Sequence, residues 1–213
     1  MCYHTKQTKK ATEVQKRFNA SIENIELFHP TSHFNAFDFP KMPIICNDEP
    51  GFIKHWNWGL IPHWSLDNDI RKFTLNARIE SIHDKKSFKD YTSQRCLIIA
   101  NGFYEWKWND SKGKNKEKFE IGIKNNELFA FAGLFSEWLN PGADELVSTF
   151  TILTTEANEL MQEIHNIKKR MPIILKPEDE ESFLRGEDLL NFAFPKYNIN
   201  LEAKNLEAQQ RLF

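Results

Sequence analysis

The chain has 213 residues, 40% of them hydrophobic and 27% charged, with a formal net charge of −2. That length fits one domain with a sizeable core, and the slightly acidic balance excludes a protein that coats nucleic acid by bulk positive charge, though not one with a local basic surface. No apolar run approaches the roughly 20 residues that span a bilayer, and no basic-then-apolar leader opens the chain, so neither a membrane span nor export is expected.

The chain begins MCYHTKQ. Removal of Met1 makes Cys2 the amino terminus, with an α-amine and a thiol on adjacent carbons; the plain alternative is a frayed end with an incidental cysteine. Within residues 11–27, Ala11, Val14 and Phe18 have helical spacing and predict a short amphipathic helix. The runs MPIIC, FIKHWNWGLI, FTLNARI, RCLIIANGFYEWKW, KFEIGI, LFAFAGLF, VSTFTIL and RMPIIL, broken by turn residues, read as strands. KNNE reads as a hairpin turn between two of them, because Asn tolerates positive φ. After Thr155 as N-cap, Ala157, Leu160, Met161 and Ile164 make one helical stripe. A further helix starts at Pro177 in KPEDEESFLRG and ends at Gly186. NLEAQQRLF is helix-prone and reads as a tail. The whole predicts an α+β fold, a single domain over residues 1–213 with a mostly antiparallel, barrel-like sheet flanked by short helices.

Chemistry-bearing residues are scattered through these elements. Three cysteines cannot all pair, and Cys46 and Cys96 lie in apolar runs as small hydrophobes, which implies a reducing cytoplasm. A strand period through RCLIIANGFYEWKW places Leu97, Ile99, Asn101, Phe103 and Glu105 on one face. Burial there would raise the Glu105 pKa and let it pass a proton near neutrality; otherwise it is a strand-end carboxylate in water. His165 lies on the flank of the helix stripe, where it either looks into a cleft or bonds the last turn. Asn76 and Arg78 share a strand face and would orient a sugar hydroxyl and hold a phosphate, or join an internal ion-pair network. Lys112, Lys114, Lys116 and Lys118 read as a solvated hairpin tip, and Lys168, Lys169 and Arg170 as a second basic cluster. No paired-histidine or Cys-x-x-Cys spacing, Gly-rich phosphate loop or Gly-x-Ser-x-Gly elbow is present, so no metal and no cofactor is expected.

Cys2, WGLIPHW, LNARIES, RCLIIANGFYEW, FAFAGLFSEW, TILTTEAN and IHNIKKRMPIIL, in this order, resemble the SRAP (SOS-response-associated peptidase) family of abasic-site processing proteins. The resemblance spans residues 2–185, leaving 186–213 as a C-terminal tail. It implies a covalent sensor of abasic sites in single-stranded DNA, in which the amino-terminal cysteine captures the sugar aldehyde as a thiazolidine during the DNA-damage (SOS) response. It implies catalytic roles for Cys2, for Glu105 as partner of its amine and general base, for His165 as proton donor to the sugar ring oxygen, and for Asn76 in orienting the sugar. Arg78, Lys168 and Arg170 would meet phosphates, and Trp58 and Trp64 would contact the unstacked strand. A monomer working in the cytoplasm at the nucleoid and replication fork is expected. Tyr3 and His4 stand where the family commonly has Gly-Arg, and the usual Asn-x-x-Pro is only loosely echoed by Asn35 and Pro40. Two other classes stay open: a thiol peptidase acting through Cys2, and a non-covalent single-strand-binding module. Strand cleavage by β-elimination is a further activity the same chemistry allows.

Overall fold

The computed structural model describes residues 2–207. In chain order the strands are β1 (His4–Gln7), β2 (Ser21–Ile22), β3 (Thr31–Asn35), β4 (Lys41–Cys46), β5 (Phe52–Trp58), β6 (Asn76–Arg78), β7 (Arg95–Ala100), β8 (Gly102–Trp108), β9 (Lys116–Gly122), β10 (Phe129–Asn140), β11 (Glu145–Glu156), β12 (Arg170–Pro172), β13 (Ile174–Leu175) and β14 (Glu202–Asn205). The α-helices are α1 (Ala11–Phe18), α2 (Glu159–Ile164) and α3 (Glu180–Leu184).

β5, β4, β7, β10 and β11 pair in succession, and β11 returns to β5 in parallel, Thr149 opposite Asn57 and Phe150 opposite Trp58, which closes a five-stranded barrel. Closure removes the exposed edges that an open sheet would leave. A second sheet has the order β14-β9-β8-β1-β3. The alternation of barrel residues feeds two cores. Met42, Ile44, Trp56, Trp58, Ile98, Phe131, Phe135, Phe150 and Ile152 join Cys2 and, from the second sheet, Phe103 and Ile121 in one. Ile45, Ile53, Leu97, Ile99, Ala130, Leu134 and Leu153 join Val14 of α1 and Phe183 of α3 in the other. At Gly133 an added Cβ would lie 2.2 Å from the Ile98 side chain, so β10 needs a residue without one where it crosses β7.

The α+β architecture, the barrel and the single body follow the expectation, and three local readings do not. RCLIIANGFYEWKW is two strands in two sheets, not one. The chain breaks at buried Asn101, whose side chain accepts from the Thr8 N–H (2.9 Å) and donates to Thr8 Oγ1 (3.0 Å) and Asn126 Oδ1 (2.8 Å). The break shifts the alternation, so Phe103 shares a core with Cys96 and Ile98, whereas Leu97 and Ile99 face the other way. KNNE takes the positive φ expected, 61° at Asn125 and 54° at Asn126, but it carries the chain from β9 to β10 in different sheets and is no hairpin. The N-cap of α2 is Asn158, whose Oδ1 accepts the Met161 N–H at 3.0 Å, because Thr155 still belongs to β11.

The residues read as a tail are largely part of the body. Leu189 and Phe192 are buried in the second core, Tyr197 donates to Asp179 (2.9 Å), and β14 pairs with β9. Most of NLEAQQRLF, from Ala208 onward, lies outside the described residues. Among the described residues no helix is long and apolar enough to cross a membrane.

Candidate active site

β1 is short, and it is inserted between β8 and β3, with His4 opposite both Tyr104 and Asn35. That register carries the start of the chain alongside Glu105. Cys2 is fully buried, and its carbonyl accepts a hydrogen bond from Asn76 Nδ2 at 2.9 Å. Burial pushes the Cys2 thiol up, the Glu105 charge pushes it further, and the amino-terminal charge and the His4 N–H only partly oppose them.

Glu105 points inward because its neighbours must point outward. Lys118 lies 4.4 Å over the Tyr104 ring and 5.6 Å from that of Trp106, and Lys116 lies 4.4 Å over Trp108, so the even-numbered side chains of β8 make the outer face. Glu105 is 7% exposed. Burial raises its pKa to about 7, against the lowering pull of the amino-terminal charge and the Trp106 N–H. A carboxyl so placed both accepts and donates a proton near neutrality.

His165 closes α2, its N–H donating to the Met161 carbonyl (2.8 Å). Its Nδ1 lies 2.8 Å from the Arg170 carbonyl, which only accepts, and 3.4 Å from the Arg170 N–H, which only donates; the shorter contact puts the proton on Nδ1. Burial and the amino-terminal charge, helped by Lys168 and Arg170 and opposed by that carbonyl, hold the imidazole pKa at about 4. The ring is therefore neutral at neutral pH, with its lone pair on Nε2.

Asn76 and Arg78 lie on β6, whose parallel pairing with β11 sets Asn76 opposite Ile152. Asn76 is buried and its Oδ1 has no hydrogen-bond partner among the described residues, while Arg78 is exposed. Lys168 is exposed beside His165. Trp64 is half-buried, with the Lys86 ammonium 4.4 Å over its ring. Two expected DNA contacts are instead internal. Trp58 is fully buried against Phe150, and its indole N–H donates to the Leu75 carbonyl (2.8 Å), fixing the residue before Asn76. Arg170 is buried in a two-pronged pair with Glu80 (2.9 and 2.8 Å) and donates to the Thr154 carbonyl (2.8 Å), so its guanidinium is committed inside the protein while its carbonyl orients His165. Glu80 was legible only as part of LNARIES; nothing local marks it as the partner of an arginine 90 residues on. His4, in the place of the family's arginine, stacks on His33 with their nitrogens 2.9 Å apart and is held at about 4, chiefly by burial, so it is uncharged at neutral pH.

Cys2, Asn76, Glu105 and His165 thus converge: Asn76 bonds Cys2, Glu105 acts on its thiol, and the amino-terminal charge acts on both Glu105 and His165. Among the described residues no group of three or more His, Cys, Asp or Glu could hold a metal ion.

The chain is 39% identical over 189 residues to the abasic site processing protein YoqW of Bacillus subtilis (strain 168), covering 86% of this chain and 79% of that protein. It is 40% identical over 154 residues to the abasic site processing protein YoaM of the same organism, covering 72% and 65%. A solved structure of a protein from Bacteroides thetaiotaomicron superposes with a TM-score of 0.86 at 33% identity, over 96% of this chain and 91% of that one. The family model described as SOS response associated peptidase (SRAP) matches residues 1–208, and the chain belongs to that family.

Proposed function

We propose that this protein processes abasic sites in single-stranded DNA by covalent capture, through an amino-terminal Cys2 exposed when Met1 is removed. The observation that carries this reading is a carboxyl poised at about 7 acting on the buried Cys2, with a neutral imidazole under the same amino-terminal charge. The names of YoqW and YoaM support the choice of lesion.

The closed abasic sugar must first open. That step moves one proton from the C1 hydroxyl to the ring oxygen, breaking the C1–O ring bond and leaving an aldehyde. Neutral His165 takes the first proton and returns it to the ring oxygen, two atoms bonded to the same carbon. The Cys2 amine then adds to the aldehyde. An unperturbed α-amine, with a pKa of about 8, is mostly protonated at pH 7, so a base is needed, and Glu105 is placed for it. Protonated Glu105 next gives its proton to the departing hydroxyl, and water leaves an imine. The thiol sulfur closes on the imine carbon and its proton moves to nitrogen, so aldehyde and aminothiol become a thiazolidine and one water. Ring closure costs little freedom because sulfur and nitrogen sit on adjacent carbons.

The buried Asn76 Oδ1, unpartnered among the described residues, is an acceptor for a hydroxyl of the opened sugar. Arg78 and Lys168 supply exposed cations for flanking phosphates, and Trp64 an apolar surface for an unstacked base. Intact duplex would have to be unpaired and kinked first, which favours single strands and junctions.

The peptidase in the family's description is the second reading. It needs a thiolate nucleophile, and burial beside Glu105 works against one at Cys2. One gel tests both. Purified protein is mixed with single-stranded oligonucleotides with and without an abasic site and resolved under denaturing conditions. A shifted band confined to the abasic strand is expected; its absence, with cleavage of peptides by the same preparation, would replace this reading with the peptidase.

A further inference from the structure

We infer that Asn166 is a positioning residue that fixes the His165 imidazole relative to Glu105, by serving as a one-residue strand partner for the end of β8. The inference rests on the capture chemistry proposed above. Asn166 Nδ2 donates to the Trp108 carbonyl at 2.8 Å, and Asn166 Oδ1 accepts the Trp108 N–H at 3.2 Å. A single side-chain amide thus engages both main-chain groups of one residue, as a neighbouring strand would.

The need for it follows from where the chain begins to pair. On one edge β8 is matched by β9 all the way to Trp108, opposite Lys116. On the other edge β1 matches Gly102 to Tyr104, so among the described residues the stretch beyond Tyr104 has no strand beside it there. Both main-chain groups of Trp108 point to that side. The amide of Asn166 satisfies them, and in doing so ties the residue after His165 to the strand that carries Glu105.

His165 is held from two directions as a result. On one side its Nδ1–H donates to the carbonyl of Arg170, whose guanidinium is locked by Glu80. Between the two anchors the loop is a compact turn: the Lys169 N–H returns to the His165 carbonyl (2.8 Å), Lys169 has φ of 49°, and the Ala157 N–H bonds the Lys169 carbonyl (3.1 Å). A second tether between the same elements, Lys107 to Glu163 at 2.6 Å, is the weaker one, because the Glu163 side chain is 69% exposed and the pair is screened by water and salt. The neutral, half-buried amide clamp is not screened.

Asn166→Ala removes both bonds, and Asn166→Gln keeps both amide groups one methylene farther out. The first measurement uses no DNA: the ¹⁵N resonances of the His165 ring are followed against pH. In Asn166→Ala the titration midpoint should move up toward that of an ordinary histidine, and the Nδ1–H tautomer should lose its dominance, with Asn166→Gln intermediate. The second compares capture of an abasic oligonucleotide with capture of a small open-chain aldehyde. A misplacement of about 1 Å costs up to about 100-fold. Asn166→Ala should therefore slow the oligonucleotide at least tenfold and the aldehyde less than threefold, and it should add nothing in a His165→Ala background. Lys107→Ala should leave both rates within twofold. An unchanged His165 spectrum, or a loss that multiplies with that of His165→Ala, would overturn the clamp. Should the alanine variant not fold, the glutamine variant decides by the same criteria. If the wild-type protein makes no adduct at all, the capture reading fails, and the clamp stands or falls on the histidine spectrum.

Discussion

Cys2 and the pair Cys46 and Cys96 occupy the same core, and all three thiols are buried and pushed up by that burial. Cys46 and Cys96 lie opposite one another where β4 meets β7, among Met42, Ile44 and Ile98. Burial does not single out the Cys2 thiol among the three. What separates the regions is the surroundings, with Asn76 and Glu105 acting on Cys2, and, on the capture reading proposed above, an amine at Cys2 once Met1 is gone. An internal cysteine has its nitrogen in a peptide bond and cannot close a thiazolidine. On the capture reading proposed above, the chemistry lies in the amine and the groups that manage its protons, with the thiol locking the product.

The largest effect should come from abolishing that difference. Cys2→Ala, or an amino-terminal extension that stays on, should eliminate the adduct that survives denaturation, while Cys46→Ala and Cys96→Ala retain it. Cys2→Ala keeps an amine, so it should still give a labile imine that borohydride traps and that is prone to strand cleavage. A blocked terminus that crosslinks as well as wild type would sink the mechanism.

Removing the proton managers should have the next largest effects. A general acid–base group contributes about 10²–10⁴-fold, so Glu105→Gln should slow capture of abasic DNA and of an open-chain aldehyde alike by at least the lower figure. His165→Ala should slow the closed sugar about tenfold or more and spare the open aldehyde, because only the closed form needs its ring oxygen protonated. Equal losses on both substrates for both variants would refute this division of labour.

Stability should show a smaller contrast. Glu105 has its pKa raised from 4.5 to about 7 in the folded protein, so between those values the native state binds more protons than the unfolded state, and stability falls as pH rises through that window. The full difference is about 3 kcal/mol at 1.36 kcal/mol per unit. His165 is lowered from 6.5 to about 4, so its contribution has the opposite sign, lost as pH falls through that range. The two oppose each other where the windows overlap, and Glu105→Gln should expose the opposite slope that His165 and His4 share in denaturant titrations at several pH values. A wild-type and Glu105→Gln pair with parallel pH profiles would contradict the burial of a titrating carboxyl. Smallest of all, Cys46→Ala and Cys96→Ala should each cost about 1 kcal/mol from a modest cavity, with capture rates unchanged.

Much of the fold was legible because local rules carried it. Ala11, Val14 and Phe18 do form α1, which ends at Asn19 with φ of 48°, and Pro177 and Gly186 do bracket the turn and helix around α3. The misreadings came where a local pattern met a choice of partner. Asn101 could have continued a strand, and only its bonds to Thr8 and Asn126 end one sheet and begin another. Trp58 and Arg170 carry side chains suited to DNA, and it is the Leu75 carbonyl and the Glu80 carboxylate that claim them. Asn166 has no sequence signal at all, since its partner is an unpaired strand end 58 residues away.

The sequence by itself determined the alternations that make the strands and the turn residues that separate them, because these depend on covalent structure and on neighbours a few residues apart. Only the tertiary structure decided that Glu105 lies by Cys2, that burial raises its pKa to about 7, and that His165 is a neutral imidazole with its proton on Nδ1. Burial, charge and hydrogen-bond partners set a pKa, and all three are supplied by segments distant in the chain that the barrel and its second sheet bring together.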